Sequence, residues 1–247
     1  MAELTAREIA EVLLGLRRKV LKIVLIIGIV WALSFTVVTD YLIIRFQEDL
    51  LPKGAKIVFI HPLEPLILKL KISLYMGIAA ALPYMGKVVI DTLKQRTDLL
   101  KDFELSKSKA IQYGISALIL FLIGISYGYR IMLPVFMNFL YSFAARQGAL
   151  AYYTISEFVT FVVLMLLVFG FVFELPIIMF FLVNNDVIKY STLTYYRRHF
   201  YVGFFIIGAI ITPPDIFTQI MVACPMILFF EISLLVIRLV LKDKIKS

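Results

Sequence analysis

The sequence predicts an all-α integral membrane protein with six transmembrane helices, and three observations predict it. Of 247 residues, 62% are hydrophobic and only 17% charged, with a mean hydropathy of +0.95, far from the balance of water-soluble domains. The charges are bunched, leaving six long intervals with few or none, each near the roughly 20 residues that a helical span requires. Six such spans use roughly 120 to 150 residues, so no large extramembrane domain fits, and residues 1–247 read as a single membrane domain. A water-soluble enzyme is excluded on the same grounds.

The first span lies between Lys22 and Asp40. The stretch before it, Glu3 to Glu11, is acidic and amphipathic, unlike a cleavable signal peptide, so the first apolar run reads as a retained helix. The connection over about residues 41–65 is long enough for a short amphipathic helix and a turn at Leu51-Pro52-Lys53-Gly54. The second interval, 72–86, extends back through Leu66, Ile67, Leu68 and Leu70 when Lys69 and Lys71 carry their ammonium groups to the interface. The third occupies 110–129, between Lys109 and Arg130, and a short loop follows it. A fourth, 158–185, is interrupted by one charge, Glu174, with Pro176 two residues on predicting a local break or kink. The last two, 200–214 and 216–230, are separated by Pro213-Pro214-Asp215 and both read as short. Phe200 to Thr212 is 13 residues, about 20 Å of helix against a hydrocarbon core of roughly 30 Å. Such a helix either recruits Tyr195, Tyr196 and the stems of Arg197 and Arg198, or thins the bilayer around it.

Orientation follows from the placement of the 25 Lys and Arg. Seventeen fall in the N-terminal tail, the second and fourth connections and the C-terminal tail, whereas four fall in the first and third connections and four at span ends. The richer side is cytoplasmic, so both termini are cytoplasmic, and the net charge of +8 reflects topology and not a nucleic-acid partner. The chain thus reads as a multi-pass membrane protein.

Glu174 is the costliest placement. It lies about 16 Å along the helix from Asp186, near mid-membrane, where an acidic residue costs about 2.5 to 3.5 kcal/mol and usually faces a bundle interior or a watery cavity. The alternative is a protonated acid that only bonds a neighbouring helix. Gln219, about one turn into the sixth span, reads either as an interior polar group or as a helix-to-helix hydrogen bond. Glu231 either faces the interior or reaches the interface and pairs with Arg238. Asp215, just after two prolines, suits an early-helix acid. The tyrosines at 152, 153, 195, 196 and 201 suit an aromatic belt. Two His and the lone Cys224 make no metal cluster, and neither a Gly-rich phosphate loop nor a nucleophile elbow is present. No catalytic set, metal or cofactor is expected.

The run Phe171-Val172-Phe173-Glu174-Leu175-Pro176, then Gly208-Ala209-Ile210-Ile211-Thr212-Pro213-Pro214-Asp215 with Gln219, then Ala223-x-Pro225 and Phe230-Glu231, closely resembles TatC, the polytopic core of twin-arginine protein translocation. Pro62-x-Glu64-Pro65-Leu66 and Lys71-x-Ser73 are similar to the same family's outside-loop motif, and together these pieces cover about residues 60–238. The resemblance implies a six-helix, glove-like receptor that binds folded precursors through their twin-arginine signal peptides. It implies assembly with TatA- and TatB-like single-span proteins, operation within the lipid bilayer alongside further copies of itself, and the proton-motive force as energy source. Glu174 carries over as the family's intramembrane glutamate, and Gln219 as part of the polar cluster that receives a partner helix.

Two cytoplasmic positions depart from the pattern. The family's His-Leu-x-Glu-Leu-Arg segment reads Val12-Leu13-Leu14-Gly15-Leu16-Arg17 here, placing glycine at the glutamate position, with Glu11 one helical turn earlier. The second signal-contacting glutamate aligns with Ser106, two residues from Glu104. Glu104, Glu11 and Arg17 are therefore the candidate signal-peptide contacts, Glu104 alongside Asp98 and Asp102, because guanidinium pairs with carboxylate through two charge-assisted bonds. Two other readings remain at this point: a secondary transporter with Glu174 as a proton or cation site, and a TatC paralogue that acts only as a scaffold.

Overall fold

In the computed structural model, residues 6–96, 107–148, 150–212 and 216–242 are described, with the side chains of 17–86, 88, 112–148, 150–212 and 216–242. The first rod is continuous from the cytoplasmic side outward. α1 (Ala6–Leu33) passes through a π-helical turn (Ser34–Val38) into α2 (Thr39–Leu50). The helix expected to end near Asp40 therefore runs on as the amphipathic segment anticipated in the loop, burying Ile43, Phe46 and Leu50. It continues because its charges find partners: Lys69 binds Asp40 at 2.6 Å, and Arg45 binds Asp49 at 3.1 Å one turn along.

The turn after α2 falls where the sequence places it. Ala55 donates its backbone N–H to the Pro52 carbonyl at 3.0 Å, and Gly54 sits at φ +101°. That backbone conformation favours glycine, and a Cβ there would stand 2.5 Å from the Tyr141 hydroxyl oxygen, so the tyrosine would have to shift. Strand β1 (Lys56–Val58) follows and pairs in parallel with β2 (Tyr152–Thr154), Lys56 opposite Tyr152 and Val58 opposite Thr154. This ladder joins the first and third connections on the outer side.

α3 (Glu64–Arg96) returns inward through Pro83. The third span, α4 (Lys107–Tyr127), runs through a second π-helical turn (Gly128–Met132) into α5 (Leu133–Arg146), so the expected end at Arg130 is overrun by four turns. α6 (Ile155–Asn184) is a 30-residue helix that continues through Pro176, so of the break or kink expected there the break does not occur. α7 (Tyr190–Tyr195) is a cytoplasmic turn of helix, and α8 (Arg197–Ile211) and α9 (Ile216–Val240) complete the chain.

Five helical segments among the described residues are long and apolar enough to cross a membrane, and α8, at 15 residues, is the short sixth. Of the two last spans expected to be short, α8 is so, while α9 reaches 25 residues. It runs past Glu231 because that acid is satisfied by groups on α8, as described below.

α6 is the central helix, packed by α3, α4 and α9; α1 lies along α3, and α8 along α9. Its buried face carries Val159, Val162, Met165, Phe169 and Val172. Close approach comes from small residues, as lipid offers no hydrophobic drive between helices. A Cβ on Gly124 of α4 would lie 2.4 Å from the Phe169 carbonyl oxygen, and one on Gly77 of α3 would lie 2.8 Å from the Ile27 carbonyl oxygen.

Candidate functional site

Along α6 the half-exposed residues Thr160, Leu164, Leu167, Phe171 and Glu174 recur at intervals of three and four, which places them on one helical face. That face lies beside the buried one; Phe171 on it meets Phe121 of α4 with ring centroids 5.5 Å apart, and Glu174 stays half-exposed. Glu174 is ten residues from the cytoplasmic end of α6, about 15 Å. It forms neither a hydrogen bond nor an ion pair with any described residue. Next to it Phe173 packs on Phe229 of α9, with ring centroids 4.1 Å apart, and on Tyr127 of α4 at 5.3 Å. The backbone that carries the acid is thus clamped on both sides while the carboxyl itself is left unpartnered.

The structure uses the other polar residues of the membrane interior for its own packing. Gln219 donates Nε2 to the Phe205 carbonyl at 2.9 Å, tying α9 to α8. Gly208 permits the approach, for a Cβ there would stand 3.2 Å from the Gln219 carbonyl oxygen. Glu231 does not meet Arg238. It accepts a hydrogen bond from the Tyr201 hydroxyl and an ion pair from Arg197 Nε at 3.5 Å, both on α8. The pairing predicted from local spacing loses to one across the helix pair, since Arg197 opens α8 at the depth that Glu231 reaches on α9. Tyr201 accordingly serves that cluster, and Tyr152 and Tyr195 are exposed.

On the outer side Glu64 is a staple. One carboxylate oxygen accepts the Ile60 N–H at 2.9 Å, and the other accepts the Ser156 N–H at 3.2 Å, in the first turn of α6. Pro62 lies in the turn before α3, and Pro65 in its first turn, where a missing N–H costs nothing. A second clasp, absent from the sequence reading, joins Tyr129 of the π-helical turn to Asp49 of α2 at 2.5 Å. It fixes the outer arms of the two bent rods together, and tyrosine spacing alone gave no sign of it.

Of the cytoplasmic candidates, Arg17 is exposed on α1 and Glu11 lies in the same helix. Glu104, with Asp98, Asp102 and Ser106, falls outside the described residues, as do Pro213, Pro214 and Asp215. No group of three or more His, Cys, Asp or Glu able to hold a metal occurs among the described residues, and Cys224 is exposed.

A polytopic helical membrane protein with its termini in the cytoplasm and, among the described residues, an acid in the middle of an apolar helix without a protein partner is the class that fold and site define. The profile described as Sec-independent protein translocase protein (TatC) matches residues 11–225, and the chain belongs to the TatC family. It is 36% identical over 183 residues to the Sec-independent protein translocase protein TatCt of Haloferax volcanii, covering 74% of this chain but only a quarter of that longer relative. It is 32% identical over 192 residues to the Sec-independent protein translocase protein TatC of Aquifex aeolicus, covering 76% of this chain and 77% of that one. A crystal structure of the twin-arginine translocase receptor TatC superposes with a TM-score of 0.76 at 28% identity, over 92% of this chain and 98% of that one. The protein is a multi-pass inner-membrane component of a protein translocase.

Proposed function

We propose that this chain is a single-domain receptor subunit of a twin-arginine translocase. It recognises twin-arginine signal peptides of folded precursors at its cytoplasmic surface and recruits small TatA- and TatB-like single-span proteins through the membrane face that carries Glu174. Further copies of the chain join the assembly, transport draws on the proton-motive force, and the chain itself catalyses no covalent chemistry. The solved relative named above is itself described as a twin-arginine translocase receptor.

The observation that carries this reading is Glu174, at mid-span on a half-exposed helical face with no partner among the described residues. In a medium of low dielectric an unpartnered carboxyl is expensive, and a polar side chain on an incoming helix relieves that cost only where it docks. Gln219, engaged at Nε2 with α8, supports the reading by fixing the α8–α9 pair beside that face. Glu104, Glu11 and Arg17 are the proposed signal-peptide contacts, the acids as partners for the two guanidinium groups and Arg17 as their neighbour on α1. A secondary transporter would place its site at a broken helix within an inverted repeat; α6 is unbroken through Pro176, and the sequence carries no such repeat. A scaffold-only role rests on Gly15 alone.

The test is Glu174→Ala in the full chain, expressed with its single-span partners. Insertion at the wild-type level is expected, with co-purification of the partner and export of a twin-arginine precursor each reduced at least tenfold. Export at the wild-type rate would overturn the reading.

A further inference from the structure

Near the outer ends of α3, α5, α6 and α8 the structure forms a cleft of about 530 Å³, within the size range of small-molecule sites. Leu140, Phe161, Leu164 and Ile211 give it apolar walls, and Lys71 and Glu157 supply its charges. Glu157 is the third residue of α6 and Leu164 the tenth, so the cleft reaches from the headgroup level roughly 10 Å further into the outer leaflet.

Lys71 is exposed at the mouth of this cleft, where its stem can carry the ammonium toward the interface. It is the eighth residue of a candidate membrane span, Glu64–Gly86, where a cation is costly unless it pairs. Its neighbour Lys69 is satisfied inside the chain by Asp40 at 2.6 Å. Lys71 forms no ion pair with any described residue, and neither does Glu157, although both line the same cleft. An exposed cation and an exposed anion lining one cleft with an apolar wall match a molecule with separated opposite charges and a hydrocarbon tail. At this depth phospholipid is the surrounding solvent.

We propose that this cleft binds an outer-leaflet phospholipid whose headgroup carries both a phosphate and a primary ammonium. Lys71 takes the phosphate, Glu157 takes the ammonium, and an acyl chain lies along Leu140, Phe161, Leu164 and Ile211. A primary ammonium donates hydrogen bonds to a carboxylate, which a quaternary choline does not, and a glycerol headgroup brings no cation to Glu157. The cleft shares Thr160 and Leu164 with the outer end of the α6 face that carries Glu174, but the lipid assay reads headgroup binding without twin-arginine transport, so the two readings fail separately.

Native mass spectrometry of the delipidated full chain in a non-ionic detergent tests this with phosphatidylethanolamine, phosphatidylcholine and phosphatidylglycerol. The wild type is expected to retain one phosphatidylethanolamine at least fivefold more tightly than either of the others. Glu157→Gln should remove that preference and leave phosphatidylglycerol binding unchanged. Lys71→Met should weaken phosphatidylethanolamine and phosphatidylglycerol alike by at least fivefold, and Leu164→Trp, which fills the apolar wall and touches neither charge, should exclude all three. Should Lys71→Met fail to fold, the other two variants decide. Absence of headgroup preference in the wild type, unchanged preference in Glu157→Gln, or displacement of the lipid by millimolar inorganic phosphate would overturn the proposal, the last by making this a small-anion site.

Discussion

Glu64 accepts backbone N–H groups from Ile60 and from Ser156, one on each carboxylate oxygen. The first partner is four residues away and the second 92, so a single side chain fixes the start of α3 and ties it to the first turn of α6. Hydrogen bonds to charged groups contribute about 1.5 to 3 kcal/mol each when shielded, and less where water competes. Glu64→Ala is therefore expected to destabilise the protein, read as a lower thermal midpoint in detergent, with Glu64→Gln intermediate because it keeps one acceptor oxygen. An unchanged midpoint for Glu64→Ala would show that the staple carries no weight. The sequence marked Pro62, Glu64 and Pro65 only through family resemblance, since no local pattern reveals a partner 92 residues off. Glu231 makes the same point in reverse. Spacing along α9 offered Arg238, whereas the folded chain offers Arg197 and Tyr201 of α8. Glu174 was legible because its signal is local: a charge in the middle of an apolar run needs no tertiary knowledge to be recognised as costly.

At the scale of elements, uncharged intervals located the spans, because the hydrocarbon core penalises ionised groups wherever they occur. They did not locate helix ends outside that core. Asp40, Arg45, Glu48 and Asp49 look like loop residues, yet they continue the first rod because they pair along and between helices. The β1–β2 ladder escaped notice for a related reason: two strands of three residues each carry too little alternation to register, and their pairing is long-range. Glycine spacing holds more than the intervals do. Gly124 and Gly170 bring α4 and α6 into backbone contact, with a Cβ on Gly124 placed 2.4 Å from the Phe169 carbonyl oxygen and 2.9 Å from Gly170 Cα. Backbone atoms cannot move aside as a flexible side chain would. Gly124→Leu is thus expected to cost about 1 to 3 kcal/mol by forcing the two helices apart. Gly114→Ala, on the same helix with nothing within 4 Å of its Cβ, should be neutral or raise the midpoint by up to about 1 kcal/mol through helix propensity. Equal midpoints for the two variants would mean that the α4–α6 crossing tolerates repacking.

For the whole molecule the governing mismatch is between helix length and bilayer thickness. The first and third rods, Arg17–Leu50 and Gln112–Arg146, are 34 and 35 residues long, about 50 Å each, and they project well beyond a hydrocarbon core of roughly 30 Å. α8, at 15 residues, spans about 22 Å, so no point on it lies more than about 11 Å from one of its ends. A membrane of uniform thickness cannot suit both. The exposed side chains Val202 and Ile206 of α8 and Leu122 of α4 face outward from the bundle and report the local thickness directly. Nitroxide labels at those three positions, in the reconstituted protein, are expected to give a shallower depth by oxygen and nickel accessibility at 202 and 206 than at 122. The difference should be several ångströms, because bilayer deformation costs only fractions of a kcal/mol per Å, whereas shifting α8 against α9 would open the Gln219–Phe205 hydrogen bond at about 1 kcal/mol. The lipid therefore yields before the helix does. Equal depths at all three labels would mean that α8 is buried at full thickness and that its outer end recruits polar chain into the hydrocarbon.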